Sequence, residues 1–137
     1  MPLERKGRHY LPEEVLPFVV LAPKANGRRG EEAGQYRDFD GDTVNMASDR
    51  LKTFARSIKC VSCGIEGKYF VKERAPLKPK TRNPGHYHLN FYAVDPEGNE
   101  VLMTKDHIVP VSAGGPSCPL NLQTMCCLCN VAKGNKQ

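Results

Sequence analysis

Four cysteines occur in two pairs that have the spacing of metal-binding knuckles. The pairs are Cys60-x2-Cys63 and Cys126-x2-Cys129, and 62 residues lie between them. Because each pair can present two thiolates to one ion, the spacing predicts a tetrahedral four-sulfur site for structural zinc (Zn2+). Such a site would staple together distant parts of a small domain. Buried free cysteines or a redox-active CxxC are the alternatives, and they account less well for two matched pairs.

A second stretch that could do chemistry is TKDHIVPVSAGG, residues 104–115. It places the carboxyl group of Asp106 beside the imidazole of His107 at the point where a strand pattern ends. An imidazole has an unperturbed pKa of about 6.5, so it can accept a proton near neutral pH. The alternative is a solvated polar pair without a function, and the pair alone does not decide between the two.

The basic residues of the chain are segregated from the acidic ones. Lys and Arg number 20 against 15 Asp and Glu, a net charge of +5. A basic segment favours binding to a phosphate polyanion such as double-stranded DNA, although a solvated face is the alternative. The candidate DNA-binding residues of this segment are Lys72, Arg74, Lys78, Lys80 and Arg82.

The acidic stretch DFDGDTVNMASD, residues 38–49, echoes a calcium-binding loop. The sixth position is Thr43, where the sharp turn of such a loop requires glycine, and the twelfth is Asp49 in place of glutamate. We therefore interpret the stretch as the acid-rich start of a helix. That helix is expected from about Thr43 to Ile58, with Asp42 or Thr43 as its cap.

The other elements follow from turn residues and alternation. Residues 1–40 are rich in proline and glycine and are expected to form an extended or flexible arm, which leaves residues 41–137 as one domain. KYFVKER alternates like a strand. HYHLNFYAV and EVLMTKDHI flank the turn sequence DPEGN and predict a hairpin. A short strand at NLQTM and a short final helix complete an α+β fold.

Composition bounds the class of protein. No window approaches the ~18 uninterrupted apolar residues of a membrane span, and the N-terminus lacks the apolar run of a signal peptide. We therefore expect a protein of the cytoplasm without a membrane partner. A reducing compartment argues against a disulfide framework, so Cys118 and Cys127 are expected to be small buried or half-buried side chains.

The order of these motifs resembles the HNH endonuclease family. CVSCG, KDHIVPVSAGG and NLQTMCCLCNVAKGN follow one another over roughly residues 44–136. The resemblance implies a ββα-metal core that is stapled by the four-cysteine zinc site. A weaker similarity is to the small HNH proteins encoded by bacteriophages.

The resemblance also implies roles for individual residues. His107 would be the general base and Asp106 a ligand of a catalytic divalent ion. Asn121 would brace the site and orient the histidine, and Asn130 would be the second metal ligand. Two oxygen ligands suit Mg2+ or Mn2+.

Three features beside these residues are expected to serve the substrate. Small residues in the loop after His107 would let the DNA backbone come close. The final helix is expected to begin near Asn130 and to direct its positive end at a phosphate. Lys133 is either a phosphate contact or a solvated helix charge.

The leading interpretation is a metal-dependent DNA endonuclease. A single site makes nicking the natural outcome for a monomer, whereas double-strand cleavage would need a weak dimer or two encounters. The alternative is a zinc-stapled DNA-binding or packaging accessory protein that does not cleave. The phage resemblance suggests a bacterial or phage-infected host cell, with terminase or packaging proteins as partners.

Overall fold

The computed structural model describes residues 3–22, 35–76, 85–116 and 119–134. Its first elements are β1 (Glu4–Tyr10), α1 (Pro12–Val15), β2 (Tyr36–Phe39), β3 (Asp42–Asn45) and α2 (Asp49–Arg56). They are followed by β4 (Tyr69–Arg74), β5 (His88–Val94), β6 (Glu100–His107), β7 (Leu122–Cys126) and α3 (Cys127–Lys133). This mixture of helices and strands confirms the predicted α+β class.

One antiparallel sheet carries most of the molecule. Its strands lie in the order β1–β4–β5–β6–β7. The predicted hairpin is confirmed as β5–β6, in which Tyr92 pairs with Leu102. From β4 onward each strand lies beside its predecessor, as is usual for antiparallel neighbours. The sheet therefore places the end of β6, where Asp106 and His107 lie, next to β7.

Helix α2 covers one face of the sheet through aromatic packing. The ring of Phe54 lies 5.1 Å from that of Phe91, which stacks on Phe70 at 4.1 Å. All three side chains are fully buried. Burying such rings is the main favourable contribution to a core of this size. The helix is thereby held against strands β4 and β5 of the sheet.

The helix begins later than the sequence predicts. Residues Asp42–Asn45 form β3 and pair with β2, and α2 starts at Asp49 with the Ser48 hydroxyl accepting a hydrogen bond from the Leu51 N–H group. Asp40 and Gly41 have φ angles of 53° and 98°. A two-residue turn with both φ angles positive favours a hairpin, so the expected start of the helix at residue 43 is wrong.

The predicted N-terminal arm also differs from the structure where it is described. Strand β1 pairs with β4, with Arg5 opposite Glu73. Tyr10 and Val15 are buried in the core. This segment therefore contributes an edge strand and core side chains, while residues 23–34 of the arm lie outside the described residues. Whether residues 41–137 form a domain alone stays a prediction.

Candidate active site and metal centre

The two cysteine knuckles meet in one cluster. The sulfur atoms of Cys60, Cys63, Cys126 and Cys129 all lie within 4.8 Å of one another. The Cys63 and Cys129 N–H groups point at the sulfur atoms of Cys60 and Cys126, each at 3.5 Å. The predicted grouping of the four cysteines is confirmed, and the donor set fits the tetrahedral four-thiolate coordination of structural zinc.

Backbone contacts hold the first knuckle against the second. The Val61 N–H donates to the Thr124 carbonyl at 3.0 Å, and the Thr124 hydroxyl donates to the Ser57 carbonyl at 2.6 Å. Cys126 ends β7 and caps α3. The cluster therefore joins the loop after α2 to the β7–α3 corner, a junction between regions distant in sequence.

The pKa values of the thiols in the cluster are shifted in opposite directions. Burial opposes ionisation of Cys60, but N–H donors from Cys126, Cys63 and Ser62 outweigh it and lower the pKa to about 6. Burial raises the pKa of Cys126 to about 12. A cation is needed to keep all four sulfurs ionised together, which is what a thiolate-bound metal does.

One of the two cysteines outside the pairs lies in the described part of the chain. Cys127 is half-buried and packs against the core, and it is not one of the four clustered sulfurs. This agrees with the expectation for Cys127. Cys118 lies outside the described residues.

Asp106 and His107 line a small cleft at the end of β6. The cleft has a volume of about 210 Å³, and Lys133 and Gly134 of the α3 end close it from the opposite side. Pro110, Val111 and Ser112 form its third wall. We call it the DH cleft. Both Asp106 and His107 are half-buried, so a solvent molecule or a phosphate group can reach them.

Lys133 is the closest partner of Asp106. Its ammonium nitrogen lies 2.5 Å from Asp106 Oδ2 and 3.2 Å from the His107 carbonyl oxygen. The amide of Gln123 donates to the same Oδ2 at 3.1 Å. Gln123 has this position because it pairs with Asp106 across β6 and β7. Sequence reasoning missed Gln123, although the strand register would have identified it.

Asn130 lies one turn before Lys133 on α3 and has a different hydrogen-bond partner. Its amide nitrogen donates to the Thr104 hydroxyl at 2.9 Å. Thr104 and Asp106 share a face of β6, and Asn130 and Lys133 share a face of α3. The sequence placed Asn130 with Asp106, whereas the structure pairs Lys133 with Asp106 and Asn130 with Thr104. Among the described residues, Asn130 is not part of the lining of the DH cleft.

The final helix begins at Cys127 and not near Asn130. Asn130 therefore lies in the middle of α3, and the N-terminal end of the helix faces the cysteine cluster. The expectation that this end points at a phosphate in the DH cleft is wrong. The reason is local, because Cys126 serves both as knuckle residue and as helix cap, with its sulfur accepting from the Cys129 N–H.

Asn121 holds the loop that follows His107. Its side-chain oxygen accepts from the Val109 N–H at 2.9 Å, and its nitrogen donates to the carbonyl groups of Val109 at 3.0 Å and Pro116 at 2.8 Å. Asn121 is buried, and these bonds satisfy its amide group as a buried polar group requires. A bracing role fits this geometry, through the loop and not by contact with the imidazole.

Gly115 is needed by the same loop. A Cβ atom at this position would lie 1.8 Å from the Val109 carbonyl oxygen, so no other residue fits. The residue is buried. Its small size therefore serves packing of the loop on itself. That the small residues of this loop let the DNA backbone come close stays a prediction.

The predicted DNA-binding residues have different environments in the structure. Lys72 is 1% exposed, and its ammonium group donates to Asp42 Oδ2 at 2.6 Å and to the Phe39 carbonyl at 2.7 Å. It is therefore a core ion pair and not a DNA contact. Arg74 is partly exposed and pairs with Glu4 at 2.7 Å. The other three predicted residues, Lys78, Lys80 and Arg82, lie outside the described residues.

A comparison with known protein families matches the part of the chain that contains this site. Strands β6 and β7 with helix α3 form a ββα unit, and residues 95–136, which contain it, match the family model described as HNH endonuclease. The resemblance drawn from the sequence is therefore confirmed for this part of the chain. No curated protein and no solved structure gives a significant match.

The described helices are short. In residues 3–22, 35–76, 85–116 and 119–134, none has the length and apolar character that crossing a membrane requires.

Proposed function

We propose that this protein is a metal-dependent endonuclease that hydrolyses phosphodiester bonds in double-stranded DNA. The observation that supports it best is the DH cleft, where Asp106 and His107 lie side by side within the segment that matches the HNH endonuclease model. A binding protein would need neither a base nor a carboxylate beside it. The four-cysteine cluster is proposed to hold one structural zinc ion per chain.

In this proposal His107 takes the proton from the attacking water. Its half-buried position gives the imidazole access to solvent in the cleft, and imidazole is suited to proton transfer near neutral pH. Asn121 acts as a positioning residue, since its bonds to Val109 and Pro116 hold the loop directly after His107.

Asp106, with Asn130, would hold a divalent ion, Mg2+ or Mn2+. The donor set fits, because a carboxylate and an amide oxygen are the ligands that these hard ions prefer. When bound, the ion would stabilise negative charge on the phosphate and on the leaving 3′ oxygen. Lys133 would then release Asp106, and its ammonium group would be free to contact a phosphate oxygen.

A second candidate function is a zinc-stapled DNA-binding or packaging accessory protein without cleavage. The close Lys133–Asp106 ion pair favours it, since it satisfies the carboxylate without any metal. We also propose, from the phage resemblance alone, a bacterial or phage-infected host cell as the setting, with terminase or other packaging proteins as partners.

Conversion of supercoiled plasmid with Mg2+ or Mn2+ tests the enzyme against the accessory protein. We expect wild type to nick the plasmid and His107→Ala to be slower by ~10²–10⁴-fold, the usual cost of losing a general base. His9→Ala is the matched control, because His9 is exposed and stacks on Tyr69 away from the site.

Equal cleavage by wild type and His107→Ala would contradict the assigned base and point to a contaminating nuclease. DNA binding without cleavage by either would favour the accessory protein. Folding of each variant is checked by its thermal unfolding temperature and zinc content.

A further inference from the structure

A second and larger cleft lies on the sheet beside the DH cleft. Its volume is about 520 Å³, and it is bounded by the start of α2, strands β4 and β5, and Lys105 of β6. We call it the Arg50 cleft. None of its lining residues belongs to the DH cleft.

Arg50 supplies an unneutralised positive charge to this cleft. Its guanidinium group donates to the Asn90 side-chain oxygen at 2.7 Å and to the Leu89 carbonyl at 2.9 Å, both neutral acceptors. Across the part of the chain that the structure describes, no ion pair includes Arg50. Burial lowers the pKa of the guanidinium, although Tyr92 and Glu73 act in the opposite direction. A desolvated cation without a counter-charge is stabilised by an anion.

The buried carboxylate of Glu73 acts on Arg50 only at a distance and forms its ion pair with Arg5 instead. One of its oxygens accepts from Asn90 at 2.8 Å and from the Tyr92 hydroxyl at 2.5 Å, and the other pairs with Arg5 at 3.0 Å. Its bond to the Asn90 nitrogen turns the Asn90 oxygen toward Arg50. The network therefore orients Arg50 while Arg5 compensates the charge of Glu73.

Other basic groups face the same cleft. Lys105 is exposed and has no ion pair within the described ranges, and His86 and His88 line the cleft with it. Asp49, in the first turn of α2, is the opposing charge. Glu73 and Arg74 also line the cleft, but Arg5 compensates the first and Glu4 the second. Arg50 and Lys105 against Asp49 therefore leave an excess of positive charge that attracts an anion.

The position of Lys105 connects the cleft to the DH cleft. Lys105 and His107 are two residues apart on β6, where the pairing with β7 is regular. Residues at this spacing share a face of a strand and lie about 7 Å apart along it. An extended polyanion that crosses His107 can therefore continue directly over Lys105 and Arg50.

We propose that the Arg50 cleft binds a backbone phosphate of the DNA strand near the phosphate presented to His107, so that it positions the strand for cleavage. This inference rests on the proposed endonuclease function. The contact is to phosphate, so it would be independent of base sequence.

Fluorescence anisotropy with a short DNA duplex in EDTA, over a series of salt concentrations, tests the proposal without cleavage. For Lys105→Gln we expect weaker binding and a plot of log affinity against log salt that is less steep by about 0.9, the effect of one lost phosphate contact. Arg50→Met should weaken binding in the same direction. Lys68→Gln is the matched control, because Lys68 is exposed and outside the cleft.

Wild-type slopes for both Lys105→Gln and Arg50→Met would overturn the proposal, as would an equal change in Lys68→Gln. Lys105 is a surface residue, so a folding defect in Arg50→Met would leave the decisive variant intact. The two proposals fail separately. Normal slopes with normal plasmid nicking would reject the cleft alone, and altered slopes without nicking by wild type would reject the nuclease alone.

Discussion

At the scale of single residues, the charge balance around Asp106 decides what the DH cleft can bind. Asp106 is 11% exposed in its side chain, and Lys133 is 20% exposed. A pair this sheltered is screened by water less than a surface salt bridge. A divalent ion that binds Asp106 must therefore compete with the Lys133 ammonium group, and in the proposed reaction a phosphate would provide that group with an alternative partner.

Replacing Lys133 by methionine should raise the affinity of the zinc-loaded protein for Mn2+ in the absence of DNA. Removing a competing charge from a half-sheltered carboxylate is expected to be worth roughly tenfold, or about 1.4 kcal/mol. Mn2+ binding by electron paramagnetic resonance measures it, with Lys68→Met as the control for loss of one charge. Unchanged Mn2+ affinity would mean that Asp106 is not the metal ligand.

The ion pair between Lys72 and Asp42 predicts an asymmetric pair of variants. Asp42→Asn removes the carboxylate partner of a fully buried ammonium group and should cost about 3 kcal/mol of unfolding free energy. Lys72→Met should cost less, because Asp42 keeps its contact with Lys6 at 3.1 Å. Chemical denaturation at pH 7 compares them, and a larger loss in Lys72→Met would contradict this account.

The same pair should make stability depend on pH. Lys72 and then Lys6 hold the pKa of the Asp42 carboxyl below its usual range. The resulting stabilisation is complete above the unfolded pKa of about 4 and is lost as the pH falls through the lower folded pKa. The stability difference between wild type and Asp42→Asn should therefore shrink below about pH 4, as measured by unfolding at pH 7 and pH 3.

At the scale of elements, the β7–α3 corner serves two sites at once. Cys126 ends β7, caps α3 and belongs to the sulfur cluster. The next turns of α3 present Asn130 to Thr104 and Lys133 to Asp106. A change in the cluster should therefore move the wall of the DH cleft, so the proposed zinc site and the proposed catalysis would be coupled through the position of this helix.

Cys63→Ser should lower both zinc content and the thermal unfolding temperature, whereas Cys127→Ser should leave both near wild type. Cys63 is the exposed member of the cluster, so its substitution creates little cavity, while Cys127 lies outside it. Metal analysis of the purified protein and thermal unfolding give the two readouts. A folded wild type without zinc would rule out the structural metal.

At the scale of the whole molecule, the N-terminal segment completes the sheet. Strand β1 covers the edge of β4 and brings Arg5 to Glu73, the carboxylate that orients Asn90. Tyr10 adds a buried ring against Phe39. The segment therefore contributes to the Arg50 cleft and to the core, and most other residues of both regions come much later in the sequence.

Deletion of residues 1–10 should lower the unfolding temperature and promote aggregation, because it exposes the unpaired edge of β4 and removes Tyr10 from the core. Thermal unfolding and size-exclusion chromatography measure the two effects. A truncated protein with the unfolding temperature and elution volume of the full chain would contradict this role of β1.

The sequence by itself determined the features that local spacing encodes. The paired cysteines, the alternation of β4 to β6, the turn at DPEGN and the adjacent Asp106 and His107 are all visible within short stretches of the chain. Such signals survive because metal geometry and strand pleating impose fixed short periods. The segment that matches the HNH family is the one in which these signals are densest.

Only the tertiary structure decided which charged groups are buried or paired and which are open to a ligand. Lys72 resembles a surface cation in sequence but is buried because β4 lies beneath the β2–β3 hairpin that carries Asp42. Lys133 pairs with Asp106, and Arg50 has no ion pair among the described residues, because of strand order and register. These facts depend on contacts between distant residues, and the free energy of a charge is set by its surroundings more than by its neighbours in sequence.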